Sequence, residues 1–599
     1  MSNQVGKRLK SLRAEMEKHG VDAYVVPSAD PHQSEYVAEH WKCRAWISGF
    51  TGSAGAVAVM SSSAGLWTDG RYFIQAAQEL AGSGIDLFKM QMPGVPELVD
   101  WLFDNVPEGG RVGVDGRLIT TSMAEKWKRT FRAKKIRLVT HLDLISGLWL
   151  DRPALSVQPA KVHPMEYAGR TVADKLKEIR EAMVEKKAEL YLLSSLYDIA
   201  WLFNLRGSDV PMCPVLTAYA LVEKERAVLF VDESKLTEEV RSVLEADGVE
   251  WAPYDAIWST LKALPKERSL YLCDERVSAG LHASVACKVV TGKELTALPK
   301  ARKNETELKN WSRVQELDGA AMVRFWKWLE EAVLKGGVTE CSASNQLAQF
   351  RLTNSECVDL SFSSISAYGA NGAMMHYSPK PETCAALQPH GFYLIDSGGQ
   401  YLGGTTDITR TFALGELTDE QRTDYTLVLK GVISLTRARF LKGSAGNNLD
   451  VLARQPLWEH GLDYKCGTGH GVGYYLNVHE GPQNFSQHKR SDTPLEPGMI
   501  LTIEPGVYKE GRHGIRTENM VVVEEDCETE CGTFYRFRTL TLCPIDIAPL
   551  HLERLSPVEI EWLNAYHQTV RKRLNPHLTG GENAWLETKT QPISASFGG

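Results

Sequence analysis

Residues 393–407 read YLIDSGGQYLGGTTD, and the chain is best read outward from them. Tyr393, Leu394 and Ile395 make a strand that delivers Asp396, and Ser397, Gly398 and Gly399 turn it. Asp407 then opens a second strand, ITRTF. Side chains alternate faces along a strand, so two facing strands can set Asp396 and Asp407 side by side. Carboxylates that close repel, and one takes a proton unless a cation lies between them. Taken alone, the stretch is equally a β-hairpin with two solvated turn aspartates.

Downstream residues weigh against the solvated reading. GTGHGVGYYLNVHEGP (467–482) sets His470 among glycines and places His479 nine positions later. LTIEPG (501–506) ends a strand on Glu504, and GIRTENMVVV (514–523) carries Glu518 in an apolar run. Each is ordinary by itself: a histidine among glycines, or an acid beside Pro505, is usually a loop residue. Together Asp396, Asp407, His470, Glu504 and Glu518 supply four carboxylates and one imidazole. That oxygen-rich set suits a pair of Mn2+-like divalent ions.

The ordered set resembles the ligands of the metallopeptidases with the pita-bread fold, which include methionine aminopeptidase, prolidase and aminopeptidase P. The likeness is closer to the cytosolic aminopeptidases P. It is carried by NGAMMHYSP (371–379), LIDSGGQYLGGTTDITRT (394–411), GTGHGVGYYLNVHEGP, WTDGRYF (67–73) and IAWLFNLRGSDV (199–210), and it covers nearly the whole chain. The resemblance implies a chain of α/β and α+β class. Two related N-terminal α/β domains, similar to the creatinase N-terminal domain, would precede a C-terminal pita-bread catalytic domain, and the protein would be a homodimer. It implies two divalent metal ions per subunit, with manganese first; spacing alone also admits cobalt or zinc. Asp396 would bind one ion and His470 the other, with Asp407, Glu504 and Glu518 bridging or shared.

The same resemblance implies the reaction. A metal-activated water would attack the first peptide bond of peptides with proline in second position. Glu504 would take its proton and hand it to the leaving proline nitrogen, which has no hydrogen of its own. His376, read alone as a solvated loop residue, would face the substrate. His479 would hold the scissile carbonyl as charge develops on it. Arg71, read alone as a surface arginine after a turn, would reach the substrate from a closing N-terminal domain. Arg516 lies two residues before Glu518, on what reads as the same strand face, and would brace a ligand carboxylate. One position departs from the family pattern, H-G-T-G-H: here it is Cys466-Gly467-Thr468-Gly469-His470. The missing histidine lines the substrate pocket in the family, so the departure touches a substrate contact and leaves the metals alone.

A chain of 599 residues exceeds one hydrophobic core and predicts three or four domains. The first, 1–153, opens with a helix and the strand DAYVVPS (22–28). The second, 154–302, repeats that grammar: AWLFNLRGS (200–208) aligns without a gap on AWISGFTGS (45–53), which points to a duplicated domain. DRPALSVQPAKVHP (151–164) reads as the linker. The third, 303–599, starts with a long helix whose Leu308, Trp311, Val314 and Leu317 recur at helical spacing and which Gly336 and Gly337 stop. From about residue 552 a helical tail follows, with Ser556, Pro557 and Glu559 as a helix start. The last few residues read as a disordered end.

The net charge of -8 excludes a general nucleic-acid binder. No apolar run reaches the ~18 residues that span a bilayer, so no membrane contact is expected. MSNQVGKRLKSLRAEMEKHG (1–20) alternates charge with leucine and lacks an apolar signal core, which predicts a cytoplasmic chain. The eleven cysteines are scattered; Cys527 and Cys531 have no second pair to complete a zinc site. Two rival functions stand beside the main one. A prolidase would cut dipeptides only, and a non-catalytic binding relative would have lost ligands, whereas all five are present here.

Overall fold

A computed structural model describes residues 2–487 and 492–594. The expectation of a disordered end therefore falls on residues outside those described. The chain forms two compact units, Met1–Met165 with Arg170–Ala297, and Glu166–Gly169 with Leu298–Gly599.

The first unit contains the same sheet twice. One sheet runs in the order Asp86–Lys89, Ala64–Thr68, Ala56–Met60, Ala23–Pro27, Arg111–Val114, Arg137–Val139. The other runs Val249–Pro253, Ala227–Val231, Ala218–Glu223, Leu190–Leu193, Ser269–Leu272, Lys288–Thr291. In each, the first strand in sequence pairs antiparallel with the second long strand and parallel with the fifth position. In each, the two outer pairs are parallel as well. Identical direction at every position is hard to reach by chance within α/β sheets and supports the repeat read from AWISGFTGS and AWLFNLRGS. Val25, Ala58 and Val112 fill one core, and Leu192, Leu221 and Leu270 fill its counterpart.

The second unit opens with the helix Glu305–Lys335. Asn304 and Glu307 cap it reciprocally, and it stops at Gly336, whose φ of 79° most other residues avoid. A three-stranded antiparallel sheet, Ile365–Tyr368, Phe392–Ser397 and Ile408–Ala413, lies beside this helix. A six-stranded antiparallel sheet follows, in the order Arg439–Leu441, Gly532–Thr539, Asn519–Thr529, Ile500–Ile503, Gly469–Gly471, Glu480–Phe485. The helices Asp419–Thr436 and Gly446–Trp458 cover it, packing Val432, Leu435 and Ala453 against Leu501, Ile503 and Val521. Ser556, Pro557 and Glu559 do start the helix Pro557–Leu574 through a capping box. Among the described residues no helix is long and apolar enough to cross a membrane.

Candidate metal centre

Strand alternation sorts the residues of the central strands into a helix face and a site face. In Phe392–Ser397, Tyr393 and Ile395 pack with Phe325, Trp326 and Leu329 of the long helix. Leu394 and Asp396 therefore point to the other face. Asp396 pairs in register with Thr409. Ile408 and Phe412 join the helix side, which turns Thr409 and Thr411 toward the site. The two strands are not joined by a plain hairpin. Gly399–Tyr401 and Gly404–Thr405 form a small pair of their own between them, and Asp407 stands just ahead of Ile408. Gly398 is where the chains touch: a Cβ there would sit 1.8 Å from the Thr406 carbonyl oxygen, so a side chain would force the Asp407 segment away.

His470 sits in the short strand Gly469–Gly471. Its Nδ1 lies 2.9 Å from the Gly471 carbonyl oxygen. A carbonyl only accepts, so Nδ1 carries the hydrogen and Nε2 is left facing the acids. Nε2 is 3.4 Å from Asp407 Oδ2 and 3.5 Å from Glu504 Oε1. Glu504 follows directly on Ile500–Ile503, and its N–H donates to the Thr468 carbonyl at 2.8 Å, tying it to the histidine segment. Glu518 does not share a strand face with Arg516, contrary to the reading of the sequence. Arg516 ends the strand His513–Arg516, which pairs with Gly506–Lys509. Glu518 occupies the break before Asn519–Thr529, which pairs with Ile500–Ile503. Leaving the ladder frees the Glu518 N–H to donate to the Thr409 carbonyl at 3.1 Å. The Thr409 hydroxyl donates to Glu518 Oε2 at 2.8 Å.

Asp407, His470 and Glu518 each present a donor atom within 4.8 Å of the others. Asp396 and Glu504 adjoin them closely enough to act on their protonation. Burial raises Glu518 well above the usual carboxylate range, and Asp407, Asp396 and Glu504 push it further. Burial also raises Asp396 to about 7; Arg516 opposes, and Asp407 and Glu504 add to the rise. Burial disfavours charge on His470, but Asp407 and Glu504 outweigh it and raise the imidazole to about 9. Asp396 also has an unmet atom. Arg516 Nη2 holds Oδ2 at 2.6 Å, whereas Oδ1 is buried with no hydrogen-bond partner. An unmet carboxylate oxygen among acids that resist ionising together fits divalent cations. The donor set therefore suits two such ions.

The remaining predicted residues of the second unit lie on segments that adjoin these elements, and Arg71 lies within its own unit. Arg516 is buried; besides Asp396 it donates to the Tyr508 hydroxyl at 2.7 Å and to Thr409 Oγ1 at 3.1 Å. The His479 ring stands edge-on to His470, with centroids 4.3 Å apart. His376 follows Met375, whose carbonyl lies 3.5 Å from Arg516 Nη2. Cys466 is half-buried, and Arg454 holds its carbonyl at 2.7 Å. Burial raises the Tyr508 phenol and Arg516 opposes this; the Cys466 thiol and Glu504 add to the rise, so both lie in that phenol's surroundings. Arg71 belongs to the first unit, where its guanidinium grips Asp69 through two 2.8 Å bonds.

Three supports escaped the reading of the sequence. Thr409 bonds both Glu518 and Arg516, yet a threonine in a strand carries no signal. Tyr508 is equally silent. Arg410 is fully buried and donates to the carbonyls of Thr409, Glu518, Cys543 and Pro544 and to Asn519 Oδ1, which fixes the Glu518 backbone. A charged residue on the helix face of ITRTF was the one available clue.

The chain matches the model of metallopeptidase family M24 over residues 309–525, and that of its C-terminal region over 533–593. Two matches to the creatinase/prolidase N-terminal domain precede them, over 8–147 and 151–307. Aminopeptidase P2 of Arabidopsis thaliana is 40% identical, over 98% of this chain and 89% of its own length. Aminopeptidase P1 of Lotus japonicus is 39% identical, over 98% and 99%. An X-prolyl aminopeptidase from Caenorhabditis elegans, described as a cytosolic enzyme with a di-nuclear active site, matches with a TM-score of 0.94 at 34% identity. The match covers 98% of this chain and 100% of that one. A Xaa-Pro dipeptidase from Bacillus anthracis shares the fold at 24% identity and a TM-score of 0.51, over 63% of this chain.

Proposed function

We infer a division of labour at this site from the premise that the chain belongs to the Xaa-Pro aminopeptidases of metallopeptidase family M24. It hydrolyses the bond between an N-terminal residue and a following proline, at a dinuclear metal centre. The observation that carries this reading is the convergence of Asp407, His470 and Glu518 within 4.8 Å, with Asp396 and Glu504 beside them.

In our proposal Asp396, Asp407, His470, Glu504 and Glu518 hold the ions. When bound, two divalent ions acidify a water and polarise the scissile carbonyl. Glu504 takes the proton of the attacking water on a carboxylate oxygen. It then delivers that proton to the proline nitrogen, which cannot leave as an anion. His479, edge-on to His470, donates to the carbonyl oxygen as charge develops there. His376 orients the substrate from its turn beside Arg516. Arg516 is a positioning residue: it fixes Asp396 and is itself held by Thr409 and Tyr508. For Arg71 we keep the substrate contact that the resemblance implies. Manganese is our first choice of metal, because four of five donors are hard carboxylates. A homodimer in the cytoplasm is our reading of the assembly; the C. elegans relative is described as cytosolic. The division 1–153, 154–302 and 303–599 is proposed on the same footing.

A proline-second peptide panel tests the activity. Replacing that proline by alanine is expected to lower kcat/KM more than tenfold, or by over about 1.4 kcal/mol of transition-state stabilisation. Equal cleavage of both peptides would remove the proline specificity and leave only a metallopeptidase. Hydrolysis of an Xaa-Pro-Pro tripeptide separates this enzyme from a prolidase, which would leave it intact.

Cys466 supplies a second measurement. A thiol donates only weakly where the family has an imidazole. Cys466→His is therefore expected to keep or modestly raise kcat/KM at unchanged metal content, whereas His470→Ala loses metal. Loss of metal from Cys466→Ala would make the thiol a ligand and overturn this separation.

A further inference from the structure

The helix Glu340–Leu352 begins against the segment that follows His376. Thr339 and Ala386 face each other as an antiparallel bridge. The Glu340 N–H donates to the Ala385 carbonyl at 3.0 Å, and the Leu387 N–H to the Val338 carbonyl at 2.8 Å. The pairing ends there, because the helix starts at Glu340; Cys341 follows Glu340 and Cys384 precedes Ala385, so the two cysteines flank the bonded Glu340–Ala385 pair. The two thiols lie close enough for each to shift the other's proton affinity. Both are free and half-exposed, while Cys357 and Cys543 in the same unit are buried.

The pair adjoins the anchor of the His376 segment. The buried Glu340 carboxylate accepts from the Ala385 N–H at 2.7 Å, the Tyr368 N–H at 2.6 Å, Asn371 Nδ2 at 2.9 Å and the Tyr377 hydroxyl at 2.8 Å. Asn371 and Tyr377 flank His376 on both sides. The exposed Lys380–Thr383 turn, closed by the Cys384 N–H on the Lys380 carbonyl at 2.8 Å, is the part this anchor does not hold.

We propose that Cys341 and Cys384 are a redox modification site, which a low-molecular-weight disulfide such as glutathione disulfide converts to an intramolecular disulfide tying the turn after His376 to the helix start. The neighbouring Cys341 holds the Cys384 thiol below its ordinary value, which makes it the first nucleophile. Cys384 gives its proton to solvent, and its thiolate attacks one sulfur of the small disulfide. That S–S bond breaks and the first small thiolate leaves. Burial pushes the Cys341 thiol up to about 12, so it acts second. It passes its proton to the departing thiolate and attacks the Cys384 sulfur, releasing the second small thiol. Two protein thiols lose two electrons, and one small disulfide is reduced to two thiols. Excess thiol reverses the sequence.

The test incubates the metal-loaded full chain with excess glutathione disulfide, alkylates remaining thiols and maps peptides by mass spectrometry without reduction. The expected result is one linked peptide pair joined through Cys341 and Cys384 that dithiothreitol separates. Cys341→Ser should instead trap a glutathione adduct on Cys384, and Cys384→Ser should show no link. Proteolysis after exposed Glu382 should slow by about fivefold or more in the oxidised protein and recover on reduction, because the tie restrains local opening. Glutathione adducts on both cysteines without a link, a link to any other cysteine, or no reaction at either would overturn the proposal.

Discussion

Enzyme stripped by a chelator is expected to hydrolyse proline-second peptides at below about 1% of the loaded rate, since water unaided does not ionise near neutral pH. Added Mn2+ should restore the rate. The structure gives this loss a second signature. Asp396 is raised from 3.8 to about 7 by burial and by its acidic neighbours. Between those values the folded, metal-free protein binds more protons than the unfolded chain. Its stability therefore falls as pH rises from about 4 to about 7, and the missing contribution is fullest above the folded value. Bound cations remove the cause, so the loaded enzyme should lack this slope. Thermal melts of stripped and loaded protein across that range, with metal content from elemental analysis, check both statements. Full activity in demonstrably metal-free enzyme would refute the site.

Glu504→Gln should cost about a hundredfold or more in kcat, because one substitution weakens a cation ligand and removes the proton acceptor together. The fold should survive. The Glu504 N–H on the Thr468 carbonyl does not depend on the side chain, and glutamine fills the same volume. Turnover with a proline-second peptide, metal content and a melt on one preparation separate the cases. A variant that keeps its metals and melts normally but turns over at the wild-type rate would show that Glu504 has been given the wrong task. Arg516→Lys offers a useful contrast. Lysine keeps the charge but cannot bond Asp396, Tyr508 and Thr409 at once in one plane.

Read by itself, the amino-acid sequence carried the domain order, the duplicated N-terminal domain and the capped start of the tail helix at Ser556, and it put forward the five acid and imidazole residues. These are local or repeated signals: a turn rich in glycine, alternation along a strand, a capping residue three positions from its acid. Tertiary structure alone decided three other matters. A break in pairing after Arg516 leaves Glu518 outside its strand, between two sheets' strands, because a ladder partner changes there and no residue type announces the change. The unmet Asp396 oxygen and the grip of Arg516 on its mate arise from burial, which depends on what the chain packs above the strand. Cys341 and Cys384 meet, and Arg410 reaches the backbone of Glu518, across long stretches of chain. Sequence periodicity reports which face a residue takes; only the closed fold reports which distant residue waits opposite.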